Sequence, residues 1–257
     1  MQLVVMKNRP LSADFRHMEV EWPDHLATPL PGQFVMVRTR TSSDPLWRRP
    51  LGVHDFRRKS GKASLSLLYQ VVGPTTGDLA ERRPGESLDL LGPFGRGFSP
   101  EGDEHWLVAG GRGIAPLYFF ARRLKGRVPV RVMAGGGTSG HVVRAGDLKR
   151  MGIPVDVATE DGSRGVRGLV TALLERALGR LGERRKKGLV LSACGPEGML
   201  KAVSDLARRH GAAAQLSLDT LMACGQGYCQ GCTVTTRGGY RLCCRDGPVF
   251  PSEDLVW

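Results

Sequence analysis

Short apolar runs separated by Gly and Pro fill the first hundred residues. Runs at 3–6, 15–21, 34–38, 64–72 and 87–91 predict β-strands. Pro31-Gly32 and Pro84-Gly85 stand just before two of them as turn dipeptides. Strands this short, with little helical periodicity between them, predict a small β-barrel over residues 1–100. The rhythm changes at His105. Trp106-Leu107-Val108-Ala109 reads as a buried strand, followed by Gly110-Gly111-Arg112-Gly113 and an apolar helix over 116–124. Further strand-like runs at 130–134, 155–159, 189–193 and 215–218 alternate with helical patterns at 169–178 and 198–209. That alternation predicts a doubly wound parallel α/β sheet over residues 101–218. Residues 219–257 are rich in Cys and Gly, with a hairpin signal at Gly238-Gly239 and no helical pattern. This last piece has too little apolar content for a core of its own, so something else must organise it.

The cysteines sharpen the picture. Five of the six lie between Cys224 and Cys244, and the sixth is Cys194. Clustered cysteines outside an oxidising compartment are more often metal ligands than disulfides. Cys224-x4-Cys229-x2-Cys232 with a distant fourth Cys is the plant-type [2Fe-2S] spacing. Gly225, Gly227 and Gly231 between the ligands would permit positive φ and bring backbone N–H groups to the sulfurs. A structural zinc site and a disulfide-stapled tail are the alternatives. Cys243 and Cys244 are adjacent, and on a strand only one of them could face a cluster.

Two glycine turns and one Arg-Pro pair suggest where nucleotides bind. Gly110-Gly111-Arg112-Gly113-Ile114-Ala115-Pro116 follows a strand and opens a helix, as pyrophosphate-binding turns do, although its spacing is not GxGxxG. A plain glycine-rich connection is the other reading. Cys194-Gly195-Pro196 follows a second strand; its thiol would stand at the carboxyl edge of the sheet or be a small buried Cys. Arg49-Pro50-Leu51-Gly52 would follow a barrel strand, where an Arg can hold a flavin phosphate.

Charge and hydropathy change less. The formal net charge is +12, and 29 of the 37 basic residues are Arg. They form scattered groups such as Arg57-Arg58-Lys59 and Arg184-Arg185-Lys186-Lys187, which read as helix ends and loops. A solvated basic surface suits anionic dinucleotides and an acidic partner, and nucleic acid is not the expected partner. No run approaches the roughly 20 apolar residues needed to span a bilayer, so no membrane role is expected. Nothing resembles a signal peptide, and a cytoplasmic address is the expectation.

Taken together, these motifs resemble one family. The order Pro31-Gly32-Gln33-Phe34, Arg49-Pro50-Leu51, Tyr69-Gln70-Val71-Val72-Gly73, Leu91-Gly92-Pro93-Phe94-Gly95, Thr159-Glu160-Asp161-Gly162-Ser163, Cys194-Gly195-Pro196 and Cys244-Arg245-Asp246-Gly247-Pro248 spans nearly the whole chain. It is similar to the electron-transfer subunit of NAD-dependent dihydroorotate dehydrogenase, a ferredoxin-reductase-like family. The resemblance implies an oxidoreductase subunit with an FAD-binding β-barrel, an NAD-binding α/β domain and a C-terminal [2Fe-2S] module. It selects Cys244 as the fourth ligand beside Cys224, Cys229 and Cys232, and leaves Cys243 spare. Flavin contacts map onto Arg49, Pro50, Leu51, Gly52, Leu68, Tyr69, Gln70, Thr75 and Thr76, and the nicotinamide nucleotide onto Gly110, Gly111, Gly113, Cys194, Gly195 and Pro196.

The resemblance also implies an FMN-binding catalytic partner that oxidises dihydroorotate in pyrimidine biosynthesis, in a heterotetramer of two plus two. Electrons would run from FMN through [2Fe-2S] and FAD to NAD, with no catalytic acid or base. Two positions depart from the family. Gly52 replaces a usual Ser or Thr, and Thr75 a usual Gly. The alternatives are a subunit of a hydrogenase or ferredoxin:NADP assembly with the same cofactors, and a zinc-ribbon nucleic-acid-binding module.

Overall fold

The computed structural model describes residues 1–39 and 46–257. Six strands close an antiparallel barrel: β1 (Gln2–Pro10), β2 (Phe15–Trp22), β3 (Phe34–Arg38), β4 (Arg49–Lys59), β5 (Lys62–Gln70) and β6 (Ser87–Phe94), in the spatial order β1-β2-β5-β4-β3-β6. Alternate residues point inward, and Val5, Val20, Val35, Val37, Leu65, Leu67, Leu88 and Leu90 fill the barrel. Five of these strands follow the apolar runs of the sequence. β4 does not, because its middle is His54-Asp55 and its end Arg57-Arg58-Lys59. It is a strand because β3 and β5 pair with it on both sides. Between β5 and β6 lies a helix that periodicity missed, α1 (Pro74–Glu81), in which only Thr75 and Leu79 are buried.

The second half forms a seven-stranded sheet. Its elements are β7 (Glu104–Gly110), α2 (Ile114–Leu124), β8 (Val130–Gly136), α3 (Ala145–Arg150), β9 (Val155–Thr159), β10 (Val166–Arg167), α4 (Val170–Gly179), α5 (Glu183–Lys187), β11 (Leu189–Cys194), α6 (Glu197–His210) and β12 (Ala213–Ser217). The spatial order is β10-β9-β8-β7-β11-β12 plus one strand more, and these six are parallel. Every residue of the central β7 is buried, as a strand covered on both faces requires.

The seventh strand comes from the cysteine-rich tail. After the hairpin β13 (Thr233–Thr236) and β14 (Gly239–Leu242), the chain turns through α7 (Cys243–Asp246) into β15 (Val249–Pro251). β15 pairs antiparallel with β12, with Leu216 opposite Phe250. Phe250 and Leu255 join the core of Leu191 and Leu216. The sheet edge is thus what organises the tail. The expectation of no helix in this segment is corrected by α7, a single turn too short to show a period.

The two halves meet along β4 and α2. Arg122 of α2 donates through Nε to Asp55 Oδ1 at 2.7 Å, and His54 Nδ1 donates to the carbonyl of Ala115 at 2.9 Å. Among the described residues no helix is long and apolar enough to cross a membrane.

Candidate cofactor-binding site

The cysteine loop carries its own donors. The N–H groups of Gln226 and Cys229 each point at Cys224 Sγ at 3.4 Å, and the N–H of Cys244 points at Cys232 Sγ at 3.4 Å. Burial pushes the Cys224 thiol up, but the donors from Cys229 and Gln226 outweigh it and bring it down to about 6. Burial, with the neighbouring Cys232 sulfur, pushes the Cys244 thiol up to about 12. The backbone donors and the lowered Cys224 thiol suit a cluster whose anionic sulfurs need such donors, whereas Cys244 would give up its proton only on binding the cluster. Among the described residues no three His, Cys, Asp or Glu side chains are gathered closely enough to hold a single metal ion. The case for a cluster rests on ligand spacing and on the donors already turned toward sulfur.

Cys243 and Cys244 open α7 instead of sitting on a strand, so the alternation argument is corrected; helical geometry separates them. Cys243 is fully buried, with Sγ 3.9 Å from the Leu218 carbonyl, while Cys244 adjoins Cys232. One glycine expectation also changes. Gly225 and Gly227 have positive φ, but at the third position it is Gln230 (φ 57°) and not Gly231 that does.

The loop is seated on the barrel. Gly225 (φ 69°) lies so near Met36 of β3 that a Cβ there would be 2.5 Å from its Cγ. Met36 stands opposite Pro50 of β4, so the loop is one strand away from the Arg-Pro segment. Arg48 is committed to Asp89 at 2.6 Å. Arg49 is exposed and has no carboxylate partner among the described residues; its Nη1 donates to the Trp47 carbonyl at 3.0 Å, and its other N–H groups could meet a phosphate. Gly52 faces Pro116 of α2, whose Cδ is 3.7 Å from where a Cβ would be; a Ser would fit, so nothing here requires Gly.

The remaining flavin candidates divide. The Leu68 side chain is buried in the same core cluster as Ile114 and Phe98, and the Tyr69 hydroxyl donates to Asn8 Oδ1 at 3.1 Å. Those two side chains are occupied, and a flavin would meet their backbone. Gln70 is half-buried. Thr76 caps α1, its Oγ1 accepting from Val72 and Gly73 N–H at 2.9 and 3.1 Å. Thr75 is buried in the first helical turn, whose N–H groups have no intrahelical partner.

The two glycine turns meet each other. Cys194 pairs with Ala109 at the carboxyl ends of β11 and β7. A Cβ on Gly113 would fall 1.9 Å from the Cys194 carbonyl oxygen, and one on Gly110 would be 2.8 Å from Pro196 Cδ and from Met199 Sδ. Gly195 in turn packs on Gly110, its would-be Cβ 3.0 Å from the Gly110 Cα. Gly111 (φ 51°) faces open space. Burial pushes the Cys194 thiol up to about 12, so it stays a neutral thiol and no nucleophile. One link escaped sequence reasoning: Arg112 reaches Asp219 at 3.0 Å and ties the glycine turn to the start of the cysteine segment.

The likenesses agree with this geometry. Residues 219–256 match the family model described as the iron–sulfur cluster binding domain of dihydroorotate dehydrogenase B. The chain is 36% identical to the dihydroorotate dehydrogenase B (NAD(+)) electron transfer subunit of Desulforamulus reducens, over 94% of this chain and 92% of that one. It is 33% identical to the corresponding subunit of Caldanaerobacter subterraneus, over 100% and 98%. A solved structure of an NADH-dependent reduced ferredoxin-NADP oxidoreductase, studied for flavin-based electron bifurcation, superposes with a TM-score of 0.86 at 30% identity, covering 99% of this chain and 90% of that one. The ferredoxin-reductase-like fold, the cysteine segment and near full-length identity all point one way: the chain belongs to the family of dihydroorotate dehydrogenase B electron transfer subunits.

Proposed function

We propose that this chain carries electrons from dihydroorotate, oxidised on the FMN of a catalytic partner subunit, by way of [2Fe-2S] and FAD to NAD. The observation that carries the reading is the convergence on β3 and β4. The cysteine loop rests on Met36, Met36 pairs with Pro50, and Gly52 faces Pro116 beyond the glycine turn. Three binding segments therefore share one wall.

Bound flavin would exchange hydride with nicotinamide and single electrons with an iron–sulfur cluster. The protein's part is to position. Arg49 offers charge to a phosphate, and the Gly110–Gly113 turn admits a pyrophosphate to the start of α2. Cys194 offers a protonated thiol at the sheet edge. Cys224, Cys229, Cys232 and Cys244 would hold the cluster, with Cys229 the exposed member and Cys232 and Cys244 buried. Glu160-Asp161 after β9 favours NAD over a nucleotide with a 2′-phosphate. Six free cysteines accord with a reducing, cytoplasmic setting. The relatives' names, each an electron transfer subunit, support a catalytic partner, here read as the FMN-binding subunit in a two-plus-two assembly.

A second reading has one observation in its favour. The likeness to the reduced ferredoxin-NADP oxidoreductase covers the whole chain at 30% identity, which suits the same cofactors serving another redox partner. The deciding experiment is anaerobic purification alone and with the FMN-binding subunit, followed by flavin, iron and sulfide analysis and an assay of dihydroorotate-dependent NAD reduction. About two irons per flavin with turnover supports the proposal. Cofactors without turnover would favour the second reading, and a colourless zinc protein would refute both.

A further inference from the structure

The barrel has a second basic surface that the redox path does not use. The outer faces of β1, β2, β4 and β5, with Arg144 reaching over from the α/β half, enclose a cleft of about 350 Å³. Its lining holds six cations, Lys7, Arg9, Arg57, Lys59, Lys62 and Arg144, against two carboxylates, Glu19 and Asp55. Lys7 is paired with Glu19 at 3.3 Å and Arg57 with Asp55 at 2.9 Å. Arg9, Lys59 and Lys62 have no carboxylate partner among the described residues. The flavin segment occupies the other end of β4, at 49–52, so the cleft is separate from it.

Two further features set the cleft apart from an ordinary solvated face. His17, only 4% exposed, lies in its lining with Nδ1 lacking any hydrogen-bond partner. Arg144 has φ 65°, a conformation rare for a residue with a side chain. Its guanidinium lies over the Tyr118 ring at 4.7 Å and pairs with Asp147 through Nη1 at 2.6 Å, while Nε has no partner. A strained backbone thus delivers a half-buried, incompletely satisfied cation to a cleft already in surplus of positive charge.

We propose that this cleft binds a small phosphate-bearing anion with two or more negative charges, bridging the barrel to the α/β half through Arg144. Phosphate oxygens suit the lining chemically. Guanidinium N–H groups, ammonium groups and the Ser64 and Ser66 hydroxyls are all donors. No Phe, Tyr or Trp lines the cleft, so recognition rests on charge and hydrogen bonds and not on stacking.

The test is calorimetric titration of the FAD- and cluster-loaded protein with inorganic pyrophosphate and, separately, ADP. Saturating NAD occupies the nucleotide site, and NaCl at matched ionic strength is the control. Saturable binding that falls at least tenfold in Arg9→Gln/Lys62→Gln, two exposed positions outside the redox site, supports the proposal; Arg144→Gln should weaken it similarly. Equal affinities for the two probes would assign the site to phosphate alone, and tighter ADP binding to a nucleotide. Heat no greater than with NaCl, or affinity unchanged in the double variant, would overturn it.

Discussion

Gly225 and Met36 are in backbone-to-thioether contact: a β-carbon on Gly225 would lie 2.5 Å from Met36 Cγ and 2.7 Å from Sδ. The contact matters because Cys224 precedes one residue and Pro50 stands opposite the other. Gly225→Ala would meet both this clash and the left-handed φ of 69°, the latter alone costing about 1–2 kcal/mol. We expect iron and sulfide per chain to fall and the melting temperature to drop. Gly231→Ala is the control. Its φ is not positive and its nearest neighbour, Cys229 Sγ, would sit at 3.7 Å. Near-normal iron in both variants would refute the seating of the loop on β3.

Gly113→Ala tests the meeting of the two glycine turns. The added methyl would strike the Cys194 carbonyl, a backbone atom that cannot rotate away. Overpacking of this kind costs about 1–3 kcal/mol. The turns must separate to admit it, so NAD affinity, measured by titration of the oxidised protein, is expected to fall along with stability. A variant that loses stability but keeps its NAD affinity would remove these turns from the nucleotide site.

The iron–sulfur segment was legible because its chemistry is written in local cysteine spacing. β4 was hidden for the opposite reason. His54 and Asp55 look like loop residues until Ala115 and Arg122, some sixty residues away, supply their partners. β15 needed the open edge of β12, which no local pattern announces. Gln230, with its positive φ, was overlooked because only Gly advertises that conformation. The order of the family motifs carried the flavin assignment further than any single residue could, but it did not tell which side chains were already taken. Tyr69 and Leu68 were.

Asp55 is 3% exposed and accepts from both Arg122 and Arg57. Asp55→Ala would remove the one carboxylate that the half-buried Arg122 meets across the junction of the two halves among the described residues. Arg122 is 29% exposed and keeps its bond to the Phe56 carbonyl, so the loss should fall below the about 3–5 kcal/mol of a fully buried pair. Chemical denaturation should show that loss, with Arg57→Ala costing far less because that side chain is 61% exposed. Equal effects of the two substitutions would mean that the junction does not depend on Arg122.

His17 sets an acid limit on stability. Burial first, and the nearby Arg144 second, bring its pKa down from 6.5 to about 4, against smaller opposing effects of Glu19 and Asp55. A lowered folded-state value means that the unfolded chain takes up the proton first. The contribution is therefore whole above pH 6.5 and is lost as pH falls toward 4. A shift of this size corresponds to on the order of 3 kcal/mol. His54, buried beside it at 5.5 Å between ring centroids, shifts in the same direction. Denaturation midpoints measured from pH 7 to pH 4 should fall more steeply for the native protein than for His17→Gln. Parallel pH profiles would show that His17 takes up its proton equally in both states.

The last prediction concerns the partner. Leu221 is 91% exposed, Tyr228 83% and Tyr240 77%, and all three lie in the cysteine-rich segment, with Tyr228 directly before the candidate ligand Cys229. Large apolar side chains this exposed are the usual anchors of a protein interface. Electron transfer also requires the partner to approach the cysteine loop, and Tyr228 is exposed beside the exposed Cys229. Leu221→Asp and Tyr228→Asp should therefore leave iron, sulfide and NADH oxidation by the isolated chain unchanged. Both should weaken association with the FMN-binding subunit by tenfold or more, about 1.4 kcal/mol, and lower dihydroorotate-dependent NAD reduction accordingly. Size-exclusion profiles and titrations of the two purified subunits measure the first effect, and steady-state turnover at varied partner concentration the second. If turnover falls while association is intact, these side chains act on the redox centres, and the docking surface lies elsewhere on the chain.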